Sequence, residues 1–180
     1  MKRWHVNLFA LWSITVVIYG LFGQALDFEF QDWDDPWLIT QNPIVQTASS
    51  DSISKILFDF SPSTRRALGK EYLPVRDLSF MTSYAIFGMN PSGYHAVNLN
   101  VYILACFALF LLISTLVSNP AVALFSPLLV VVHPAHVEAV AWISERKSAL
   151  SLLFLLCGIL AYLRAQGTYS KLRWLALPLF

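Results

Sequence analysis

Charge is what this chain has least of. Only 13% of its 180 residues are Asp, Glu, Lys or Arg, while 57% are hydrophobic, and from Leu78 to Val137 there is no charged residue at all. A soluble domain carries about a quarter charged residues, so this composition excludes that class and indicates a polytopic membrane protein. There is no basic excess either: the formal net charge is +1, which excludes a nucleic-acid binder. Cysteine is nearly absent, and Cys106 and Cys157 both lie in apolar runs. That rules out a disulfide framework or a cysteine metal motif and leaves two buried packing residues. Internal repeats, low-complexity tracts and Gly/Ser linkers are missing too.

What is present is a series of uncharged runs. Met1-Lys2-Arg3 precedes the run from Val6 to Leu26, long enough to cross a hydrocarbon core of about 30 Å. Gly23-Gln24-Ala25 resembles a small-x-small cleavage site. The apolar core nevertheless exceeds the roughly 7–15 residues of a signal peptide and more spans follow, so a retained helix is expected. Its positive flank places the N-terminus in the cytoplasm. The charge-free stretch from Leu78 to Val137 would extend about 90 Å as one helix, so it must break. Asn90-Pro91-Ser92-Gly93 and Asn119-Pro120 supply the breaks. Leu78 to Met89 is too short to cross and is expected at the interface or as a re-entrant segment, whereas Tyr94 to Val117 is a full span.

Periodicity cannot assign Ala121 to His133, but charge can. The next uncharged run, Ser148 to Leu163, is followed by Arg164, Lys171 and Arg173. These cations face the cytoplasm only if the Ala121 segment crosses. The expected fold is thus an all-α polytopic bundle with spans at about 6–26, 94–117, 119–135 and 148–164, and a fifth opening at 174. Outer loops cover 27–93 and 134–147. The chain stops inside the fifth apolar stretch, at Phe180, as a truncated piece would. The setting is an integral, multi-pass protein of a bacterial inner membrane or an ER-type membrane.

The first outer loop opens with Asp27-Phe-Glu-Phe-Gln-Asp-Trp-Asp-Asp-Pro-Trp37, five carboxylates at a membrane exit. A solvated loop with aromatic anchors at the headgroups explains it; so does a catalytic pair, Asp34 and Asp35, since ionisable residues at membrane depth are functional by default. Further on, Ser50 or Asp51 is expected to cap a helix whose Ile53, Ile56, Leu57 and Phe60 recur at i, i+3, i+4, i+7. Ser61-Pro62-Ser63 is expected to end it, and Arg65-Arg66 through Lys70 forms a basic patch, read as a solvated loop against the alternative of a cluster that attracts anions.

The second outer segment is His133-Pro-Ala-His136-Val-Glu138-Ala-Val-Ala-Trp142-Ile-Ser-Glu145-Arg146-Lys147. Proline disfavours helix before it and suits the first turn after it, so a short helix is expected from Pro134, with Glu138, Trp142 and Glu145 on one face. Three readings compete. His133, His136 and Glu138 could ligate a divalent metal ion, although their spacing matches neither H-E-x-x-H nor H-x-x-E-H. The polar groups could cap helix ends while Arg146 and Lys147 snorkel to headgroups. Or cations and histidines at the membrane edge hold a lipid-linked phosphate.

Four blocks occur in order between these spans. They are Asp34-Asp35 with Ile39-Thr40-Gln41-Asn42-Pro43; Tyr72-Leu-Pro74-Val-Arg76-Asp-Leu-Ser79-Phe80 with Gly88; Tyr94-His95-Ala-Val-Asn98; and His133 through Lys147. Together they resemble the N-terminal membrane region of the transmembrane O-mannosyltransferases that carry tetratricopeptide repeats, members of the GT-C glycosyltransferases. One departure is Leu73, where relatives often have Arg between the Tyr and the Pro of the second block; here Arg76 follows Pro74. The resemblance implies a GT-C helical bundle with an extracytoplasmic loop subdomain, and downstream spans and repeats. It implies transfer of a sugar, mannose, from a polyprenyl-phosphate donor to a hydroxyl-bearing protein or glycan acceptor. It further implies Asp34 or Asp35 as general base; the candidate donor-phosphate or substrate contacts are Arg76, His95, His133, His136, Glu138, Arg146 and Lys147, and no cofactor is called for other than the divalent metal ion weighed above. The rival class is a transporter or flippase for a lipid-linked or anionic solute. Such proteins place ionisable groups at mid-membrane, whereas these uncharged spans carry theirs at the ends. A third class is a non-catalytic membrane assembly factor.

Overall fold

The computed structural model describes residues 3–168, and every regular element among them is helical. Met1, Lys2, Lys171, Arg173 and the apolar stretch from 174 lie outside the described residues.

Helix α1 (Arg3–Phe22) continues through a 3-10 turn at Gly23–Asp27. Its Trp4, Leu8, Phe9, Trp12 and Val16 are exposed while Ala10, Ile14 and Ile18 are fully buried. That division suits a helix with one face on a bundle and the other in lipid. Helix α5 (Pro91–Leu116) is the centre of the molecule. It begins where Asn90 Oδ1 accepts the Ser92 amide at 3.2 Å and Pro91 takes the first helical position; the cap supplies an acceptor for one free amide and the proline has none to satisfy. Its Tyr102, Cys106 and Phe110 join Ile14, Ile18 and Val131 in one core. Farther along, Ala108 and Leu112 pack on Leu156 and Leu160 of α8 (Arg146–Thr168).

Helix α6 (Pro120–Val131) repeats the Asn-Pro start, with Asn119 Oδ1 accepting the Ala121 amide at 2.9 Å. At about 1.5 Å per residue it is too short to cross a bilayer. Among the described residues three helices are long and apolar enough to cross, and a fourth passage requires counting α6 and the segment Pro134–Ala141, bent by 61° at the break, as one span. Val6, Asn7, Ser114 to Ser118, Pro120 and Arg164 line one crevice. One end of the bundle therefore gathers the start of α1, the end of α5, the start of α6 and the end of α8, and successive long elements alternate in direction.

The opposite end carries the loop subdomain, with its own core of Leu38, Ile39, Ile56, Leu68, Phe80, Met81, Tyr94 and Ile143. Three expectations change here. Ser49, not Ser50 or Asp51, caps α2 (Ser50–Phe58), its Oγ accepting the Ser52 amide at 3.1 Å. Ser61 does not end that helix but caps the next, α3 (Pro62–Ala67), because Ser-Pro is a helix start. The segment expected to begin at Leu78 is α4 (Pro74–Phe87), opened by Pro74.

The fourth block is not one helix. A 3-10 turn at Pro134–His136 leads into α7 (Val137–Ala141), Trp142 is extended (φ −91°, ψ 125°), and a second 3-10 turn at Ile143–Glu145 feeds α8. Glu138, Trp142 and Glu145 therefore do not share a helical face. At the break the carbonyls of Trp142 and Ile143, which also take the Glu145 and Arg146 amides of the second 3-10 turn, accept from Asn98 Nδ2 at 3.0 and 3.4 Å.

Candidate active site

The loop after α1 turns through a wide helical turn at Pro36–Thr40, with Asp34 and Asp35 at its entry. Asn42 pins the turn: its Nδ2 donates to the Ala67 carbonyl at 2.9 Å, and its Oδ1 accepts the amides of Ile44 and Val45 at 3.1 and 3.3 Å. The two aspartates part company at this point. Asp35 is fully buried, its Oδ2 accepting the Gln31 amide at 2.8 Å and its Oδ1 the hydroxyl of Ser144. Asp34 is half-buried and faces a cavity of about 360 Å³ together with Trp37, Arg66, Lys70, Glu71, Arg76 and Lys147.

That cavity meets a second, of about 500 Å³, at Arg76 and Lys147, which line both. The second is an apolar groove between Leu73, Pro74 and Val75 at the start of α4 and Leu150, Phe154 and Leu155 on α8. Arg76 is 2% exposed and donates to Glu71 Oε2 at 2.7 Å, to Asp77 Oδ1 at 2.9 Å and to the Leu68 carbonyl at 2.9 Å. Asp77 is buried with its second oxygen unpartnered. Burial pushes its carboxyl up to about 6, outweighing the guanidinium beside it. Lys147 is less committed: its Nζ stands 3.6 Å from Glu71 and 3.6 Å from Glu145. The cavity wall formed by Gly69 and Lys70 is a left-handed turn, φ 81° and 64°. A Cβ at Gly69 would come within 2.7 Å of Leu38 Cδ2, so the turn is closed as well as left-handed.

Arg146 departs from the expected phosphate contact or snorkelling cation. It is fully buried. Its Nε donates to Asn98 Oδ1 at 2.6 Å, one Nη to Ser83 Oγ at 2.9 Å and the Ser79 carbonyl at 3.2 Å, and the other to the Tyr94 carbonyl at 3.1 Å. Phe80 covers the guanidinium face at 4.7 Å. A charge this deep is tolerated because protein oxygens on α4 and α5 replace its water, and it reaches neither cavity. Adjacent residues thus have opposite fates, Arg146 inside the protein and Lys147 at the junction of the two cavities.

No protein-family model and no solved structure matches the chain. Protein O-mannosyl-transferase TMTC1 of Mus musculus is 35% identical over 150 residues, covering 80% of this chain and 16% of the relative. TMTC3 of Homo sapiens is 27% identical over 179 residues, 97% of this chain and 19% of the relative. Human TMTC2 is 36% identical over 108 residues, 58% of this chain. The chain is a homologue of the TMTC protein O-mannosyl-transferases. It spans less than a fifth of the length of the curated relatives it matches.

Within this TMTC homologue the remaining candidates lie apart from the Asp34 cavity. His95 is buried in α5 near the loop, edge-on to Phe28 at 6.1 Å, with both ring nitrogens unpartnered. His133 caps the turn after α6, its Nδ1 accepting the Ala135 amide at 3.2 Å, and His136 lies 5.9 Å from the Tyr102 ring. Glu138 lines a separate cleft with Phe28, Trp33 and Trp142. Among the described residues no three His, Cys, Asp or Glu side chains converge on a metal position. Residues not singled out from the sequence include Ser144, the partner of Asp35, and Glu71, which bridges the two cations of the cavity junction. Arg66 and Lys70 of the basic patch are exposed and also line the Asp34 cavity.

Proposed function

We propose that this chain forms the donor site and carries the general base of a membrane protein O-mannosyltransferase. In this reading mannose passes from a polyprenyl-phosphate donor to a Ser or Thr hydroxyl on the extracytoplasmic side. The observation that carries it is the pair of cavities meeting at Arg76 and Lys147, one apolar and running along α8, the other polar and holding Asp34. An isoprenoid chain suits the first, and its phosphate the cationic junction. The names of the relatives support mannosyl transfer to protein.

The chemistry assigned to each group follows. A neutral hydroxyl is a poor nucleophile, so Asp34 takes its proton as the oxygen attacks the sugar's anomeric carbon. The bond from that carbon to the phosphate oxygen breaks, and the polyprenyl phosphate leaves with the electron pair. Lys147, backed by Arg76, stabilises the charge that develops on the leaving phosphate. Asp35 and Ser144 hold the loop so that Asp34 meets the cavity. Arg164 shares the bundle end with the start of α1, which supports a cytoplasmic N-terminus and an outward loop subdomain.

The test is Asp34→Asn in the full-length protein, assayed with polyprenyl-phosphate mannose and a protein acceptor. Turnover should fall about 10²- to 10⁴-fold, the usual contribution of a general base, with folding in detergent unchanged. Wild-type turnover in a folded Asp34→Asn protein would overturn the assignment.

A further inference from the structure

Glu71 occupies an unusual place. Its Oε2 lies 2.7 Å from Arg76 Nη1 and 3.6 Å from Lys147 Nζ, so one carboxylate oxygen bridges the two cations that join the polar cavity to the apolar groove. Its side chain is 46% exposed, against 2% for Arg76 and 31% for Lys147. Arg76 does not depend on it, because the Leu68 carbonyl and Asp77 hold the rest of the guanidinium. Lys147 likewise keeps Glu145 within 3.6 Å. An exposed carboxylate between two cations resembles one edge of a phosphate in charge and in oxygen geometry. The Glu71–Lys147 pair, solvent-accessible on both sides, is of the weak kind, and water can take over either of its partners when they separate.

We propose that Glu71 is an internal competitor for the seat of the donor's phosphate, displaced from Lys147 and Arg76 when a prenyl phosphate binds. The proposal rests on the lipid-phosphate reading of the cavity junction given above. It makes Glu71 a selectivity residue: a neutral prenyl headgroup cannot replace the carboxylate's charge between the two cations, whereas a phosphate can. The cost of displacement falls on every ligand that must use the junction, so removing the carboxylate's charge strengthens phosphate binding. A residue that merely braced Arg76 would have the opposite effect.

The experiment is equilibrium binding of farnesyl phosphate, with farnesol as the uncharged control, to the full-length protein in detergent. Trp37, which lines the polar cavity, provides a fluorescence signal. Wild-type protein should prefer farnesyl phosphate to farnesol. Glu71→Gln, which keeps an amide oxygen for Arg76, should bind farnesyl phosphate about twofold to fivefold tighter, the range of an exposed ion pair, with farnesol affinity unchanged. Glu71→Ala should do the same, and in a Lys147→Gln background the gain should shrink or vanish. If wild type prefers the phosphate but both Glu71 variants bind it equally or more weakly, Glu71 is a brace and the competitor proposal is wrong while the donor reading stands. If wild type does not distinguish farnesyl phosphate from farnesol, the donor reading fails and this proposal with it.

Discussion

The burial of Arg146 makes a quantitative prediction about what holds the loop subdomain to the bundle. Asn98 stands between the two, taking Arg146 Nε on its oxygen at 2.6 Å and giving its amide to the Trp142 carbonyl at 3.0 Å. Asn98→Leu leaves a fully buried guanidinium short of an acceptor, while the Trp142 carbonyl keeps the Glu145 amide at 3.2 Å. Breaking a buried charge network from one side costs about 3–5 kcal/mol. Arg146→Met removes the charge with its desolvation penalty and keeps apolar contact with Phe80. It orphans chiefly Asn98 Oδ1, since the Ser79 carbonyl still accepts from Ser83 Oγ, so about 2–4 kcal/mol is expected. The double variant has no buried charge to satisfy, and its cost should fall short of the sum by about 2–3 kcal/mol, within the range for directly coupled residues. Reversible unfolding of the purified protein in mixed micelles, titrated with SDS and followed by tryptophan fluorescence, measures all three. Additive costs, or a single variant within about 0.5 kcal/mol of wild type, the level of an uninvolved surface change, would refute the clamp.

Two further predictions concern the loop subdomain and the bundle ends. The Asp77 carboxyl is raised by burial from 3.8 to about 6, so the folded state holds its proton more tightly than the unfolded chain does. The stability it contributes is full below about pH 4 and is lost as the pH rises through 6; Asp77→Asn should flatten that part of a stability–pH curve, and an unchanged slope would remove Asp77 as its source. For topology, single cysteines at Ser49 and Ser118, on a background lacking Cys106 and Cys157, should differ in labelling by an impermeant thiol reagent, with Ser49 reacting from the extracytoplasmic side. Equal labelling in intact membranes would overturn the alternating arrangement.

Much of the bundle was legible in the amino-acid sequence because the signals for it are local. Uncharged runs mark the long helices, and Asn-Pro pairs at Asn90 and Asn119 mark two starts, since a side-chain cap and a proline act within one turn. The acidic loop at the end of α1 was equally plain. The sequence pattern sets the α2 cap one or two residues late, at Ser50 or Asp51 instead of Ser49, and it does not distinguish a stop from a start at Ser61, because a serine followed by proline ends nothing by itself.

What each candidate residue touches was decided only by the tertiary structure. Asp34 and Asp35 are neighbours of identical chemistry, yet Asp35 is consumed by Ser144, 109 residues away, and Asp34 is left to the cavity. Arg146 and Lys147 are also neighbours, and Asn98, 48 residues from Arg146, draws the first into the protein while the second stays at the cavity junction. Adjacent side chains leave the backbone in different directions, so composition and spacing cannot say which one points inward. That choice belongs to whichever distant segment supplies the matching oxygen, and the chain has to fold before that segment arrives.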